Sequence, residues 1–437
     1  MTTLGKVTIN RAALKPSRKI DERQLERLTN KKLLFPLDEA FGIDRLPFKI
    51  SPSAMLEIAY WVQLIPSYKA ARDAIIRNTP IRVNDDTMRN VANHIGSLVF
   101  EVDRNRAGTS WELLKTGRIS FPQHKLDQVL YLEVDGAMLH TRKKKEHDVN
   151  DVQKKENEEH KSMWMENKLG LAFSSDNIRW WTGQDGERHH KIIKKEYISY
   201  LGDAEEFKKH MWALALRNGY GNYQQTILLS DGATWIRNMK EEIFPDAQQI
   251  LDYYHLLENI FNFAKDVFKL DESKYKPWVT DIAKKFKESK TKEAIDQIRK
   301  LGNRILTKSK FNLLNYIQNN INNIDYGTYK KKGWFIGSGA IENGNKLVLQ
   351  QRLKQAGMRW NEQTGQYILT LMSKSKSFLW EQDVVSLIHN KYDLVGAFLH
   401  MGYPLQPRPE FYELDQRLQQ LKDNLAKGYN QRRKDNK

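Results

Sequence analysis

The 437 residues carry a formal charge of +17, with 40% hydrophobic and 11% aromatic residues. That is long enough for two or three domains and apolar enough for a sizeable core, which excludes a disordered chain, and the basic excess points to a polyanionic partner, nucleic acid before membrane. With no cysteine, disulfides, thiolate chemistry and cysteine-held zinc are excluded; no apolar run approaches the ~18 residues of a membrane span or forms a signal-peptide core, so a soluble cytoplasmic protein is expected.

Residues 1 to about 45 are polar and basic with little periodicity, and the first twenty are expected to be mobile. Ser51 then caps an amphipathic helix from Met55 to Leu64, Pro66-Ser67 restarts the chain, and Tyr68 to Arg77 reads as a second helix. Asn84 to Thr87 caps a third, Met88 to Phe100. Two short helices split by a tight turn fit a helix-turn-helix that lays Thr87, Arg89, Asn90 and Asn93 in a major groove, and fit a plain helical bundle equally. Trp111 to Pro122 reads as a loop.

Gln128 to Val134 is β-rich and ends on the turn signal Asp135-Gly136. Alternation places Leu130, Leu132 and Val134 on one face and Tyr131, Glu133 and Asp135 on the other. Such alternation often puts acids on solvent faces, so Glu133 is set aside. Arg142 to Lys161 is charge-dense and reads as an exposed connection. Lys168 to Ser174 and Lys191 to Leu201 are two further strands, joined by a polar loop over 176–190 that makes His189 and His190 surface residues. Asp203 caps a helix over 204–217. Gln225 to Ser230 repeats the pattern of a strand followed by Asp231-Gly232, a helix follows to Ile243, and Gln248 to Tyr253 forms one more strand.

From Tyr254 to about Tyr326 the pattern is helical and lysine-rich. Gly337 and Gly339 then loosen the backbone by allowing positive φ or close approach, ahead of a helix that carries Glu342. Ile341, Leu347 and Val348 fall at helical spacing, and Glu342, Asn345 and Lys346 share its polar face. Between Lys265 and Lys376 there are 23 Lys/Arg against 10 Asp/Glu, so most of the excess charge surrounds this segment. Helical segments follow Trp360, then a break at Pro404, Pro407 and Pro409, then a basic tail.

Asp135 and Asp231 at strand ends and Glu342 at a helix start converge on one sheet edge, the usual place for a site in a sheet protein. Three acids meeting there repel one another unless cations lie between them. Two Mg²⁺ ions held by oxygen ligands satisfy that and clamp a phosphodiester for in-line attack. Arg352, Lys354 and Arg359, with Lys346, suit phosphate contact. Trp360 and Trp235 read as packing residues.

The residues Val134-Asp135-Gly136, Leu229-Ser230-Asp231-Gly232-Ala233-Thr234-Trp235-Ile236, Asp252-Tyr253-Tyr254-His255 and the stretch from Gly337-Ser338-Gly339 to Trp360 carry a resemblance. The sequence resembles the RNase H-like DDE transposases of bacterial insertion sequences, in the mutator-like group with ISKra-type and ISLre-type members. The motifs span roughly 125 to 375; Leu37-Asp38 and Ser67–Gly96 are weakly similar to the helical N-terminal region of that family. The resemblance implies an α/β fold, an RNase H-like mixed sheet with a large all-helical insertion, preceded by a helical N-terminal region. The implied division is 1–122 for the DNA-binding helices, 123–253 and 333–400 for the two parts of the core, 254–332 for the insertion and 401–437 for the tail. The 111 residues from Asp231 to Glu342 leave room for that insertion.

By the same resemblance Asp135, Asp231 and Glu342 are a catalytic, metal-binding triad for two Mg²⁺ ions, with Mn²⁺ as substitute, and Asp252 and His255 assist in positioning or DNA handling. The implied partners are element ends and target DNA, with self-association as a homodimer or larger, and neither a membrane nor a small-molecule substrate. The implied place is the bacterial cytoplasm, at the nucleoid. The implied reaction is end cleavage followed by 3′-hydroxyl strand transfer. An RNase H-fold nuclease or resolvase that cleaves without joining has the same acids. A non-catalytic DNA-binding descendant would have lost one of them, and all three are present.

Overall fold

The computed structural model describes residues 45–142, 162–186, 188–301 and 308–392. Almost all belong to one compact unit that includes Ile50–Lys391. Of a second unit, Thr8–Lys49 with Tyr392–Lys437, the described part includes a 3₁₀ turn at Pro47–Lys49. The basic N-terminal stretch with Leu37 and Asp38, most of the charge run after Arg142, and the Pro-rich break and tail lie outside the described residues. Among the described residues no helix is long and apolar enough to cross a membrane.

Three helices open the main unit. Helix α1 (Pro52–Leu64) starts where Ser51 Oγ accepts the Ala54 N–H, and α2 (Tyr68–Asn78) starts on Ser67 in the same way. Helix α3 (Asp85–Lys115) is capped by Asn84 and has two acids in its first turn, as the positive end of a helix favours. It runs for 31 residues, well past the expected end at Phe100. The reason is its buried stripe: Met88, Val91, Ile95 and Val99 continue through Asp103 and Ala107 to Trp111, so the start of the expected loop is helical. The stripe packs on α1 and on two later helices of the same unit.

The central sheet is mixed, in the order β5-β2-β1-β6-β7. Its long strands are β1 (Leu126–Arg142) and β2 (Ser162–Ser174), antiparallel to each other; β5 (Glu196–Leu201) adds antiparallel to β2. On the other side β6 (Tyr223–Ser230) and β7 (Gln248–Leu251) add parallel. A short β8 (Trp360–Asn361) pairs with the end of β1. The Asp135-Gly136 pair is not a turn. It sits inside β1, because β2 runs alongside as far as Arg142↔Ser162 and supplies partners for the backbone beyond Gly136.

The expected strand Lys191–Leu201 is likewise corrected. It divides at 193–195, and its first part belongs to a hairpin of β3 (Ile178–Thr182) and β4 (Arg188–Ile192) that occupies the expected loop. Trp180 faces His190 and Trp181 faces His189 across that hairpin, cross-strand ring pairs that a composition reading of a polar loop overlooks.

Both faces of the sheet are covered. Leu130, Leu132 and Val134 lie under α4 (Ala204–Arg217, capped by Asp203) and α5 (Thr234–Ile243), against Phe207, Met211 and Ile236. The opposite face, with Tyr131, Glu133 and Leu169, is buried too. Over it lies α11 (Gly339–Gly344), which continues through a π-helical segment, Asn345–Gln350, into α12 (Gln351–Leu353). The outer edge at β5 is closed by α13 (Glu362–Lys376): Gln366 accepts the Leu201 N–H at 2.7 Å and donates to the Ser199 carbonyl at 3.0 Å.

Between β7 and α11 stand the helices α6 (Tyr253–Val267), α7 (Glu272–Lys287), α8 (Thr291–Leu301), α9 (Lys308–Asn319) and α10 (Tyr326–Lys331). They pack on one another through an interior that includes Val279, Phe286, Ile298 and Ile317, which matches the helical reading of that segment.

Candidate active site

The register of the parallel strands brings the acids together. Leu132 pairs with Leu228 and Glu133 with Leu229, so two further steps set Asp231 level with Asp135. Ser230 pairs with Leu251, and one further step sets Asp252 level with Asp231. Asp135 thus lies within β1, and Asp231 and Asp252 each stand one residue past the end of the neighbouring strands β6 and β7. Gly232 bends the chain sharply after Asp231, with φ 85°, a conformation that favours glycine.

Each carboxylate is held differently. Asp135 Oδ1 accepts the Gly136 N–H at 2.8 Å, and Oδ2 accepts the side-chain amide of Asn345 at 2.6 Å. Burial pushes its carboxyl up, and the nearby Asp231 adds to the shift. Asp231 Oδ1 accepts the Ala233 N–H at 2.9 Å, and its carbonyl accepts the Tyr316 hydroxyl at 2.7 Å from α9. Asp252 is fully buried and saturated: Oδ1 takes the N–H groups of Tyr254 and His255, and Oδ2 takes the N–H and hydroxyl of Ser338. Burial opposes its ionisation, but the hydrogen bonds from His255 and Ser338 prevail and pull the carboxyl down to about 2.

His255 Nδ1 lies 3.6 Å from Asp252 Oδ2, an ion-pair separation longer than a hydrogen bond. Asp252 and then Asp231 and Asp135 hold the imidazole up to about 9, against the pull of burial. Glu342 is exposed on α11, and a carboxylate oxygen of it, an imidazole nitrogen of His255 and an Asp252 oxygen all lie within 4.8 Å of one another. Because Asp252 already accepts four hydrogen bonds in a dry setting, we assign it to positioning His255 and Ser338 rather than to holding an ion.

Among the described residues the one group whose ligand atoms lie mutually within 4.8 Å is Asp252, His255 and Glu342, and Asp135 and Asp231 are not part of it. Asp135, Asp231 and Glu342 are hard oxygen donors of the kind that suit Mg²⁺, and Asn345 Oδ1 is buried with no hydrogen-bond partner beside Asp135, but in this conformation the three carboxylates are not drawn into one ligand cluster.

Glu133 is the residue that sequence reasoning set aside. It is 1% exposed, and its Oε2 accepts the Ile341 N–H at 2.7 Å, at the start of the helix bearing Glu342. Burial is the main cause that pushes its carboxyl up to about 8, with Asp252 and Glu342 adding and Lys195 opposing. Its position on the same strand face as Asp135 was the available signal. Tyr316 was missed as well, and nothing in the helical pattern marks it. Gly337 also acts differently from one of the two uses expected: it has no positive φ, and a Cβ there would lie 2.6 Å from the Tyr254 ring, so close approach is its role.

No family model matches the chain, and no curated protein matches it.

Of the expected DNA contacts, Lys346, Lys354 and Arg359 are exposed. Arg89 is exposed and paired with Asp86 at 2.7 Å. Asn93 is turned inward and donates to Thr364 on α13 at 3.4 Å. Arg352 is corrected: it is 1% exposed, not at the surface. Its Nε–H reaches the Val62 carbonyl at 2.8 Å, and its guanidinium lies between the rings of Tyr68 and Trp360, at 5.1 and 5.2 Å. The helix period explains the error, since Arg352 shares the inward face with Val348 and Leu349. Trp360 packs, as expected, with its indole N–H on the Leu353 carbonyl. A cleft of about 520 Å³ opens beside Asp231 and His255, lined by Arg237, Asn312 and Asn315 among others.

Proposed function

We propose that the chain is a divalent-metal-dependent DNA phosphoryl-transfer enzyme of the DDE transposase kind, with the mixed sheet as an RNase H-like core and α6–α10 as its helical insertion. The observation that supports this reading is the placement of Asp135, Asp231 and Glu342 at one end of the sheet: Asp135 lies in β1, Asp231 follows the end of the parallel neighbour β6, and Glu342 rides a helix whose Asn345 is hydrogen-bonded to Asp135. Closure of the three carboxylates around an ion is part of the proposal. The basic surround supports a DNA partner, with exposed Lys346, Lys354 and Arg359 placed to meet phosphates.

Mg²⁺, when bound, supplies a polarised phosphoryl oxygen and an activated water or 3′-hydroxyl at neutral pH. The rest falls to the chain. Asn345 orients Asp135, Ala233 N–H orients Asp231, and the Tyr316 hydroxyl fixes the backbone at Asp231. Asp252 and Ser338 tie the start of α11 to the end of β7, so Glu342 keeps its distance from the aspartates. His255, whose imidazole is held up to about 9 by Asp252 with Asp231 and Asp135, lies beside the acids and, when protonated, offers positive charge to a phosphate there. In-line displacement requires no covalent protein–DNA intermediate.

The test is a supercoiled-plasmid assay with a precleaved element end and Mg²⁺. Joined product is expected from the wild type and none from Asp231→Asn. Cleavage without joining would make the protein a nuclease, and cleavage by Asp231→Asn would overturn the site. Self-association on paired DNA ends is part of the same proposal and is read by sizing the complex.

A further inference from the structure

A second groove flanks the start of α11, separate from the cleft at Asp231. Its volume is about 590 Å³, within the ~300–1,000 Å³ range of ligand pockets. Three lysines (Lys191, Lys195 and Lys330) and three aromatic rings (Tyr254, Trp334 and Phe335) line it. None of the three lysines forms an ion pair with a described carboxylate. Glu133 lines it as well, so the groove reaches the residue that anchors the Glu342 helix.

The rings are arranged as a wall and a platform. Phe335 is wedged against Trp180 and His190 of the β3–β4 hairpin, with centroids 6.0 and 4.7 Å away, and against Tyr131 at 5.1 Å. Tyr254 is different: it is 64% exposed, and the edge of its ring lies so close to Gly337 that a Cβ there would stand 2.6 Å from it, so a side chain at that position would force the ring to move. Its own N–H is committed to Asp252. An aromatic face left open beside ammonium groups, one residue from His255, suits a flat π-system that carries negative charge; of these lysines Lys195 also interacts with Glu133 and lies 5.5 Å from the Tyr197 ring centroid. Duplex DNA offers phosphates to lysines but keeps its base faces stacked inside; only an unpaired nucleotide presents both.

We propose that this groove holds an unpaired nucleotide of the DNA strand next to the catalytic acids, its base stacked on Tyr254 and its phosphates on Lys191, Lys195 and Lys330. This deepens the proposed function and rests on it. The groove selects locally melted or frayed strand ends over intact duplex, and Gly337 leaves room for the Tyr254 ring to lie against the backbone.

The experiment uses the full chain carrying Glu342→Gln, so that binding is read without chemistry. Anisotropy is measured for a 20-nucleotide single strand with one 2-aminopurine and for the matching duplex. Tyr254→Ala is expected to weaken the single strand about tenfold and abolish 2-aminopurine quenching, with less than a twofold change for the duplex. Tyr254→Phe keeps a ring and should keep the single-strand affinity, which separates stacking from misfolding. Lys195→Gln should reduce the salt dependence of single-strand binding. Equal losses for both DNA forms, or no loss for either, overturn the groove. If instead the Glu342→Gln parent binds neither DNA, or Asp231→Asn retains Mg²⁺-dependent cleavage, the proposed function itself fails.

Discussion

Asn345 donates its side-chain amide to Asp135 over 2.6 Å, across 210 residues of sequence. Because Glu342 lies one helical turn earlier, this bond ties the helix that carries Glu342 to the strand that carries Asp135. Asn345→Ala should therefore lower cleavage about 10–100-fold, the usual cost of losing a partner that orients a metal ligand. Asn345→Asp should be worse, since it places a like charge against Asp135. A Mg²⁺ titration of cleavage checks both: the midpoint should move to higher metal for Asn345→Ala. An unchanged midpoint and rate would remove Asn345 from the site.

Glu133 predicts a pH dependence of stability. Its folded pKa is raised to about 8 from an ordinary 4.5, so the native state holds a proton that the unfolded state releases. Stability is then fully present below about pH 4.5 and declines as pH rises to about 8, by up to about 1.4 kcal/mol per pH unit. Glu133→Gln keeps an acceptor for the Ile341 N–H and removes the titration. In metal-free buffer its Tm should exceed the wild type's at pH 8 and match it near pH 4.5. Identical pH profiles would show that Glu133 is not held in a dry setting.

How much of this was legible in the sequence follows from which residues had a local signal. Ser51, Asn84 and Asp203 are caps with short-range chemistry, and all three act as read. Asp135 and Asp231 were visible through their strand contexts, although the turn inferred after Asp135 was absent because β2 extends beside it. Pairing partners more than 20 residues away leave no trace in a local pattern. The same holds for the hairpin at 178–192, whose stability comes from cross-strand ring pairs. Arg352 misled because charge suggests a surface, whereas its helical position among Val348 and Leu349 pointed inward. Glu133 misled in the same way. A buried charge is recognisable only once the groups that satisfy or enclose it are known.

The pair of Asp252 and His255 yields a third expectation, with the opposite slope at low pH. Asp252 is pulled down to about 2, so its contribution is present above about pH 4 and lost as pH falls through 2. His255 is raised to about 9, so its contribution is present below about pH 6.5 and lost as pH rises through 9. The pair is at full strength between about pH 4 and 6.5. His255→Gln should cost about 1–2 kcal/mol in that window, after discounting for solvent at a ring about one-third exposed, and almost nothing at pH 10. Urea unfolding at pH 5.5, 7.5 and 10 without divalent ions measures it. A constant difference across the three would mean that charge on His255 plays no part.

Arg352 and the exposed basic residues of the same segment should separate cleanly. Arg352 is enclosed between Tyr68 and Trp360, and burial lowers its pKa while Tyr68 opposes. Its two terminal nitrogens are buried and make no hydrogen bond. Arg352→Ala should lower stability by about 2–4 kcal/mol through the cavity it leaves. Arg352→Met fills most of that volume without a charge to desolvate and should cost far less. Neither should change the slope of log affinity for DNA against log salt. Lys346→Gln, Lys354→Gln and Arg359→Gln should leave Tm within about a degree or two, and each should reduce that slope by about 1 if its charge meets a phosphate. Measured in parallel, the two groups distinguish a cation that holds α1 and α2 against the site helix from cations that hold DNA. A lowered salt slope for Arg352→Met would return Arg352 to the DNA surface, where its charge alone had suggested it belonged.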